Sequence, residues 1–262
     1  MVGSHHSPGT GAATHLAEVP PPLPADRRVA VLDCDPSLLP RGAPGAAAHL
    51  TAPVMQIPRG EWLPMPARAG RYDGWLGMLL LDGLMIRTLR LGGLECCELL
   101  GPGDVIRPWD QEDELASLAA DVSWRAPAEL RVALLDDTFA RLACRWPEVL
   151  SALMQRSLRR TRSLAVHLAI AQVRRADVRL MALFWHLADR WGRVTQDGVV
   201  VELALTHGML SRLTCLRRPT VSLALKQLHA SGELVRTSPS HWLLRGAEPD
   251  SVHRVIGLPS AA

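Results

Sequence analysis

Basic side chains with a spacing that suits a nucleic-acid contact lie between residues 205 and 245. Arg217 and Arg218 stand directly before Pro219, and Lys226, the single lysine of the chain, follows about two helical turns later. Arginine can donate paired hydrogen bonds to a guanine edge or to phosphate, whereas lysine offers a point charge. These residues predict an interface with double-stranded DNA, and its candidate contacts are Thr206, Arg217, Arg218, Pro219, Thr220, Ser222, Leu223, Lys226 and Ser240.

Two short helices and a hairpin are needed to position these side chains. Thr206 suits a helix N-cap and predicts a first helix over about 207–213. Pro219 predicts the first turn of a second helix, because its missing N–H would have no partner there, and Gly232 predicts the end of that helix. Two short strands, at 233–237 and 241–245, complete the order of a helix-turn-helix with a wing.

The second of these helices is amphipathic in sequence. At about 100° per residue, one face is apolar and consists of Val221, Ala224, Leu225 and Leu228. The opposite face is small, polar or basic and consists of Pro219, Leu223, Lys226 and Ala230, flanked by Ser222 and Gln227. A major groove admits such a helix, and the helix N-terminus attracts phosphate. The alternative interpretation is a helical hairpin with a solvated basic face.

The same stretch resembles the winged-helix signature of a family of regulators. The matching residues are Arg218-Pro219-Thr220-Val221-Ser222, Ala224-Leu225, Leu228, Gly232 and Leu234-Val235. The signature is that of the cyclic-AMP-receptor and fumarate–nitrate-regulator (Crp/Fnr) family. Arg179 also stands where that family keeps an arginine at the start of its first DNA-domain helix. The resemblance covers roughly residues 28–245, and its motifs are strongest from about residue 174 onward.

The resemblance implies an α+β fold with an N-terminal β-roll or jelly-roll of the cyclic-nucleotide-binding type, a long dimerisation helix and a C-terminal winged helix-turn-helix. The expected divisions are a disordered tail, the β-roll, the dimerisation helix, the winged helix and a second tail, at 1–27, 28–146, 147–173, 174–246 and 247–262. A symmetric homodimer on DNA is implied, with RNA polymerase as a further candidate partner. Departures from the pattern at Cys215, Pro219 and Leu223 mean that the family's best-known operator is not implied.

Charge is distributed unevenly along the 262 residues, which are enough for two domains with separate cores. Residues 147–262 contain 16 Lys and Arg against 8 Asp and Glu, a net charge of +8. Residues 1–146 contain 13 against 18, a net charge of −5. The C-terminal part therefore has the charge balance of a polyanion-binding surface.

Short strands separated by turns are predicted between residues 52 and 136. Val54–Pro58 is one strand, and Trp75–Leu81 and Leu84–Leu91 are expected to form a hairpin over Asp82-Gly83. Further strands follow at 94–100, 119–125 and 130–135, the first of them after a turn at Gly92-Gly93. Six or more strands with glycine-rich corners and no helical spacing predict a β-roll or jelly-roll barrel.

The corner Gly101-Pro102-Gly103-Asp104 resembles the turn that precedes the phosphate cassette of cyclic-nucleotide-binding domains. In that family Gly-Glu and then an Arg-Ser or Arg-Thr pair follow, but here the corner leads into Arg107-Pro108-Trp109-Asp110. The pair would fall at Ala120-Asp121, and the adenine contacts would fall at Leu164-Ala165. We therefore expect the barrel to be present without its cyclic nucleotide. No cofactor is expected, and the effector is unknown. Arg107 is the remaining local cation, and its alternative role is a surface salt bridge.

A long helix is predicted from Pro147 to about Val173. Its residues repeat in steps of four and three, which is the heptad seam of paired helices, at Leu150, Met154, Ser157, Thr161, Leu164, Leu168 and Ala171. Such a seam is buried against a twin helix or against the chain's own barrel, and the resemblance favours a dimer. Arg156, Arg159, Arg160 and Arg162 are expected on a solvated basic face. A second amphipathic helix is predicted at 176–191, and a strand at 199–205.

Enzymatic motifs do not occur in the chain: it has no P-loop, no GxSxG and no HExxH, so we expect no enzyme. The five cysteines are odd in number and scattered, which argues against a disulfide framework and fits a reducing cytoplasm. Cys96 and Cys97 would point to opposite faces of a strand, which disfavours an iron–sulfur sensor, whereas a haem sensor through His or Cys stays open. No apolar run is long enough to suggest a membrane span or a secretory signal.

Two hypotheses of different classes remain. The first is a dimeric, sequence-specific transcription regulator. The second is a signalling or scaffold module that does not bind DNA and uses the winged helix for protein contacts. The +8 charge of residues 147–262 and the Arg217-Arg218 pair favour the first hypothesis.

Overall fold

The computed structural model describes residues 28–30, 50–64, 74–109, 118 and 120–246. The predicted tails at 1–27 and 247–262 and the acidic run at 110–114 lie outside these residues. The described strands are β1 Arg28–Ala30, β2 Thr51–Ile57, β3 Gly60–Trp62, β4 Gly77–Asp82, β5 Met85–Leu91, β6 Leu94–Leu100, β7 Val105–Ile106, β8 Asp121–Ala126, β9 Leu130–Leu135, β10 Gly192–Thr195, β11 Gly198–Glu202, β12 Leu234–Ser238 and β13 His241–Leu244. The described helices are α1 Asp137–Ala143, α2 Pro147–Ala171, α3 Ala176–Trp191, α4 His207–Thr214 and α5 Arg218–Ala230.

Two antiparallel sheets form the N-terminal unit, which we define as residues 28–135. Their strand orders are β1-β2-β9-β4-β7 and β3-β8-β5-β6. Apolar side chains from both sheets fill the space between them, among them Met78, Met85, Leu100 and Trp124, all at most 4 % exposed. The predicted class, mixed helix and strand with antiparallel sheets, is confirmed. Among the described residues, apolar side chains fill the interior of this unit.

The hairpin predicted over Asp82-Gly83 is wrong, because β4 and β5 lie in different sheets. β4 pairs with β9 and β7, whereas β5 pairs with β6 and β8. The Asp82 side chain stabilises this corner, because its carboxylate accepts hydrogen bonds from the backbone N–H and the guanidinium of Arg131 on β9. Gly83 has φ +78°, and a Cβ there would lie 2.5 Å from the Cβ of Leu130. The glycine is needed for a change of sheet, not for a two-residue hairpin.

The turn predicted at Gly92-Gly93 is confirmed: β5 and β6 pair around it, with Leu91 opposite Leu94. Cys96 and Cys97 on β6 point to opposite faces as expected, since Cys96 is exposed and Cys97 is buried. Burial raises the pKa of the Cys97 thiol to about 12. The two neighbouring cysteines therefore do not form one site.

Helix α2 begins at Pro147. Proline suits the first turn of a helix, because the N–H that it lacks would have no partner there. It follows α1, which is capped by the Asp136 carboxylate accepting from Phe139 N at 2.8 Å. Along α2 the buried residues are Val149, Leu153, Arg156 and Ile170, which all face the rest of the chain. No helix in the described ranges has the length and the apolar content to span a membrane.

The C-terminal unit, residues 176–246, consists of α3, α4, α5 and a sheet in the order β10-β11-β13-β12. Strand β10 was not expected. It pairs antiparallel with β11, and the pair of residues next to the turn is Thr195 and Gly198, of which Gly198 has φ +137°. The strand predicted at 199–205 is β11 and ends at Glu202. One apolar core joins this unit to the outer face of β6, because Cys97 and Leu99 belong to the same buried cluster as Leu183 and Leu210.

Candidate nucleic-acid interface

Helix α4 begins and ends as its local sequence requires. The Thr206 hydroxyl accepts from Met209 N at 3.2 Å, which is the predicted N-cap. At the other end Cys215 takes φ +53° and ψ +32°, a left-handed conformation that is uncommon for a residue with a side chain. Its N–H donates to the Ser211 carbonyl, and Leu216 N also donates to this oxygen, at 3.1 Å. The joint therefore turns the chain tightly into the next helix without a glycine.

Helix α5 starts with an uncapped N-terminus. Arg217 is the N-cap residue in an extended conformation, and its side chain makes no capping hydrogen bond. No acidic residue lies in the first turn. The N–H groups of that turn and the positive end of the helix dipole are therefore left for an external anion.

The two faces of α5 agree with their predicted burial. The apolar face is buried, with Val221 0 %, Ala224 2 %, Leu225 8 % and Leu228 3 % exposed. The opposite face is exposed to solvent at Pro219, Leu223, Lys226 and Ala230. Leu223 is 59 % exposed. It lies outside the core, so its side chain is available for an apolar contact with a partner.

The cations of this face make no ion pair with any other described residue. Arg217, Arg218 and Lys226 are exposed, and in the described part of the chain none of their side chains has a hydrogen-bond or ion-pair partner. Thr220 is exposed beside them. All four side chains can therefore reach a ligand without first breaking a contact within the chain.

Besides Thr206, two further predicted contact residues have internal partners. The Ser222 hydroxyl lies 2.8 Å from His207 Nδ1 and donates to the Arg218 carbonyl at 3.1 Å. Ser240 is half-buried at the β12–β13 turn, with its hydroxyl 3.0 Å from His241 Nδ1. Both serines position neighbouring structure in the chain as it stands.

Arg236 was missed by the sequence analysis, and it holds the β12–β13 turn in place. Its guanidinium donates to the carbonyls of Ser238 at 3.2 Å and Pro239 at 2.7 Å, and lies 5.0 Å over the Trp242 ring. His207 was missed too, although its ring joins the first turn of α4 to α5. His207 contacts a residue 15 positions away, so no local spacing indicates its role, whereas Arg236 acts within the β12–β13 turn itself.

Arg179 joins α3 to the end of α4. Its guanidinium donates to the carbonyls of Val173 at 2.6 Å and Thr214 at 3.0 Å. The second contact satisfies a carbonyl at the helix C-terminus, where a cation is favoured. This arginine fixes the orientation of the α4–α5 pair from beneath and does not reach the exposed face of α5.

The heptad seam of α2 is largely uncovered within one chain. Met154 is 60 %, Leu164 38 % and Leu168 66 % exposed. Ser157 and Thr161 are exposed, and Leu150 and Ala171 are half-buried. Within one chain, Leu150 of the seam packs against the core that contains Leu79, and the neighbouring face of the helix is buried at Leu153 and Ile170.

The solvated basic face predicted on α2 is wrong for two of its four arginines. Arg160 donates to both carboxylate oxygens of Glu98, at 2.7 and 2.8 Å, and Arg156 is 8 % exposed and donates to the Gly103 carbonyl at 2.8 Å. The hydrogen bond to Glu98 raises the pKa of Arg160. Arg87 lies 3.7 Å from the same carboxylate, and burial lowers its pKa. Sequence spacing does not reveal this pairing, because Glu98 is 62 residues from Arg160.

The Gly101–Asp104 corner is directed towards α3. Asp104 Oδ2 accepts from Gly101 N at 2.9 Å and from Arg190 at 2.7 Å. Arg107, predicted as the remaining local cation, donates to the Trp75 carbonyl at 2.6 Å and lies 5.7 Å from the Trp109 ring centre. Among the described residues, no group of three or more His, Cys, Asp or Glu side chains has the arrangement of a metal site.

Comparison with known proteins indicates similarity in fold. No protein-family model and no curated protein matches the sequence. FixK2 from Bradyrhizobium japonicum superposes with a TM-score of 0.57 at 18 % identity, over 80 % of this chain and 99 % of FixK2. A transcriptional regulator of the CRP family from Thermus thermophilus gives 0.52 at 22 % identity, over 79 % of this chain and all of that one. A CooA mutant from Carboxydothermus hydrogenoformans gives a TM-score of 0.56 at 17 % identity, over 78 % of this chain and 88 % of the CooA chain. The chain has the fold of Crp/Fnr-family regulators.

Proposed function

We propose that the chain is a cytoplasmic, homodimeric, sequence-specific DNA-binding transcriptional regulator of the Crp/Fnr type, and that α4, α5 and the β12–β13 hairpin are its winged helix-turn-helix. The observation that supports this most strongly is the exposed face of α5, where Arg217, Arg218 and Lys226 stand without internal partners, among the described residues, beside an uncapped helix N-terminus. This is the surface that a recognition helix presents to a major groove.

Each element of the interface has a proposed role. Arg218 reads a guanine edge at the helix N-terminus, Lys226 meets phosphate, and Leu223 offers an apolar contact to a thymine methyl. Thr206, Arg217, Thr220 and Ser240 are proposed as contacts to the phosphate backbone around them, and Pro219 and Ser222 as close neighbours of the groove. Base contacts would set the sequence preference, and phosphate contacts would set the affinity and its dependence on salt.

Dimerisation through α2 is proposed from its exposed apolar seam. A chain that leaves Met154, Leu164 and Leu168 uncovered on one stripe gains free energy by burying them against a second copy. Sedimentation should show a dimer for the native chain and a monomer for Leu168→Glu. Val166→Glu is the matched control, because Val166 is 47 % exposed on the same helix but lies roughly opposite the seam. A dimer that survives Leu168→Glu would mean that α2 is not the interface.

DNA binding is tested by selecting bound sequences from genomic fragments and measuring their affinity at several salt concentrations. The proposal expects an enriched sequence with two half-sites and an affinity that falls steeply with salt. The alternative, a module that uses the winged helix for protein contacts, expects no enriched sequence. Binding that is equal on all fragments would also contradict a sequence-specific regulator.

Cyclic AMP is not proposed as the effector. The interior of the N-terminal unit is filled by side chains such as Met78 and Trp124, and Pro108 has no N–H to donate to a phosphate. Calorimetry should detect no binding of cyclic AMP at micromolar concentration, and saturable binding in that range would overturn this part of the proposal.

A further inference from the structure

A charged cleft lies apart from the proposed DNA interface, between α2, α3 and the Gly101–Asp104 corner. Its volume is about 530 Å³, which is within the range of small-molecule sites in proteins. Five arginines line it, and we refer to it as the arginine cleft: Arg156, Arg159, Arg160, Arg162 and Arg190. Its apolar floor includes Leu99, Leu187 and Trp191. The cleft thus combines a small apolar floor with an unusual density of guanidinium groups.

The arginine cleft has more positive than negative charge. Three carboxylates line it, from Glu98, Asp104 and Asp189, against the five arginines. Glu98 is bound by Arg160, and Asp104 is bound by Arg190. Arg159 and Arg162 are exposed and have no hydrogen-bond or ion-pair partner in the part of the chain that the structure describes. Two guanidinium groups therefore remain for an external anion.

The two histidines of the cleft wall have internal contacts. His186 Nε2 lies 3.0 Å from the Ser163 hydroxyl, and a ring nitrogen of His167 contacts the Leu213 carbonyl. Burial, followed by the proximity of His167, lowers the pKa of His186. The lowered pKa favours the uncharged form of the His186 ring.

The walls of the cleft are held in place by bonds to the fold. Arg156 donates to the Gly103 carbonyl at 2.8 Å, and Arg190 donates to Asp104 at 2.7 Å and to the Pro102 carbonyl at 2.9 Å. Arg190 also lies 4.8 Å over the Trp191 ring. Because Arg156 and Arg190 are already ordered, binding of a ligand would cost little conformational entropy at these two side chains.

We propose that the arginine cleft binds a phosphorylated small molecule that carries at least two negative charges. Arg159 and Arg162 are three residues apart on α2, so their side chains leave the same side of the helix with Cβ atoms roughly 5–6 Å apart. A phosphate group has enough oxygens to accept from both guanidinium groups at once, and arginine suits it through paired hydrogen bonds. A single carboxylate would neutralise only one of the two unpaired cations.

The position of the cleft gives such a ligand a role between the two units. Its wall includes the corner of the N-terminal unit, helix α2, and α3 of the C-terminal unit. A bound anion would add contacts across all three and stabilise their present arrangement by its binding free energy. An effect on DNA affinity follows only if the proposed function is right, whereas binding of the anion does not depend on it.

The test uses the full chain and inorganic pyrophosphate as the probe in calorimetry at physiological salt. We expect saturable binding that weakens about tenfold or more in Arg159→Ala/Arg162→Ala, because two charge-assisted contacts are lost. Arg125→Ala is the control, since Arg125 is exposed on β8 away from the cleft and its removal should leave the affinity unchanged. Both cleft positions are exposed, so circular dichroism should show the double variant folded.

Several results would overturn the proposal. Absence of pyrophosphate binding at millimolar concentration would do so, as would equal affinities of the double variant and the native chain. Citrate binding at least as tightly as pyrophosphate would mean that the cleft selects polycarboxylates rather than phosphates. If the double variant loses DNA affinity while pyrophosphate never binds, the two arginines serve nucleic-acid phosphates instead.

Gel shifts with and without pyrophosphate separate this inference from the proposed function. If pyrophosphate binds and the native chain shifts no DNA, the regulator proposal is wrong and the anion-binding proposal for the arginine cleft is supported. If the chain shifts DNA and pyrophosphate does not bind, the cleft proposal fails alone.

Discussion

Arginine has opposite surroundings in two regions of this protein. Where α2 meets β5 and β6, one carboxylate, Glu98, is shared between Arg160 and Arg87, and these guanidinium groups are partly buried. On the exposed face of α5, Arg217 and Arg218 extend into solvent with no acidic residue in the first helical turn. Both regions are basic in sequence. In the part of the chain that the structure describes, the two arginines that share Glu98 are not available to a polyanion, whereas Arg217 and Arg218 are.

The supply of nearby acids, rather than the number of arginines, decides which of these surfaces can bind an anion. The part of the chain before residue 147 has an excess of acidic residues, and two arginines that pack against it are paired with its carboxylates, Arg160 with Glu98 and Arg190 with Asp104. The arginines of α5 lie in a part with twice as many bases as acids. Removing a paired arginine should therefore affect folding, and removing an unpaired one should affect binding.

Arg160→Ala should have the largest effect, and on stability. It removes both hydrogen bonds from the Glu98 carboxylate and leaves only Arg87 at 3.7 Å, so the free energy of unfolding should fall by about 2–4 kcal/mol. Urea denaturation measures it. Arg159→Ala is the matched control, because Arg159 is adjacent and exposed, and its replacement should change stability by less than about 0.5 kcal/mol. Equal losses of unfolding free energy in the two variants would contradict the expected difference between a paired and an unpaired arginine.

Arg218→Ala should leave stability unchanged and weaken DNA binding. We expect a cost of about 1–3 kcal/mol and a relaxed preference at one base pair, measured on a randomised operator library. Leu223→Ala should cost less and alter only the preference for thymine, because that side chain offers apolar contact alone. An Arg218→Ala protein with unchanged base preference would show that α5 does not read DNA in the proposed orientation.

Lys226→Ala should produce a smaller and more uniform loss. A phosphate contact carries no sequence information, so all operators should weaken alike, and the slope of log affinity against log salt should fall by about one unit. Titrations of two unrelated operators at several salt concentrations measure both quantities. A change in sequence preference would instead place Lys226 at a base edge.

Cys215→Gly should have the smallest effect and should stabilise the C-terminal unit. The left-handed backbone at Cys215 is strained for a residue with a Cβ and free of strain for glycine, so the free energy of unfolding should rise by about 0.5–1 kcal/mol. Cys215→Val should lower it, because a β-branched side chain tolerates positive φ least. Thermal denaturation of both variants would test this, and a destabilised glycine variant would mean that the thiol itself supports the joint.

Local sequence was sufficient to predict much of the C-terminal unit. Thr206 caps α4, Pro219 lies in the first turn of α5, and the four apolar residues of α5 are all buried, because each of these features depends on neighbours within about one helical turn. The exposure of Leu223 and Lys226 follows from the same periodicity. The heptad spacing on α2 likewise identified a stripe that one chain leaves exposed.

Other features depend on contacts between residues far apart in the chain, and these follow from the packing of distant segments. Asp82-Gly83 has the sequence of a hairpin turn, but the contact of Asp82 with Arg131 and the close approach of Leu130 make it a corner between two sheets. Arg160 is paired only because folding brings Glu98 to it, and the arginine cleft exists only where α2, α3 and the Gly101–Asp104 corner meet. Periodicity and capping act over a few residues, whereas pairing of charges and choice of sheet depend on which distant segments pack together.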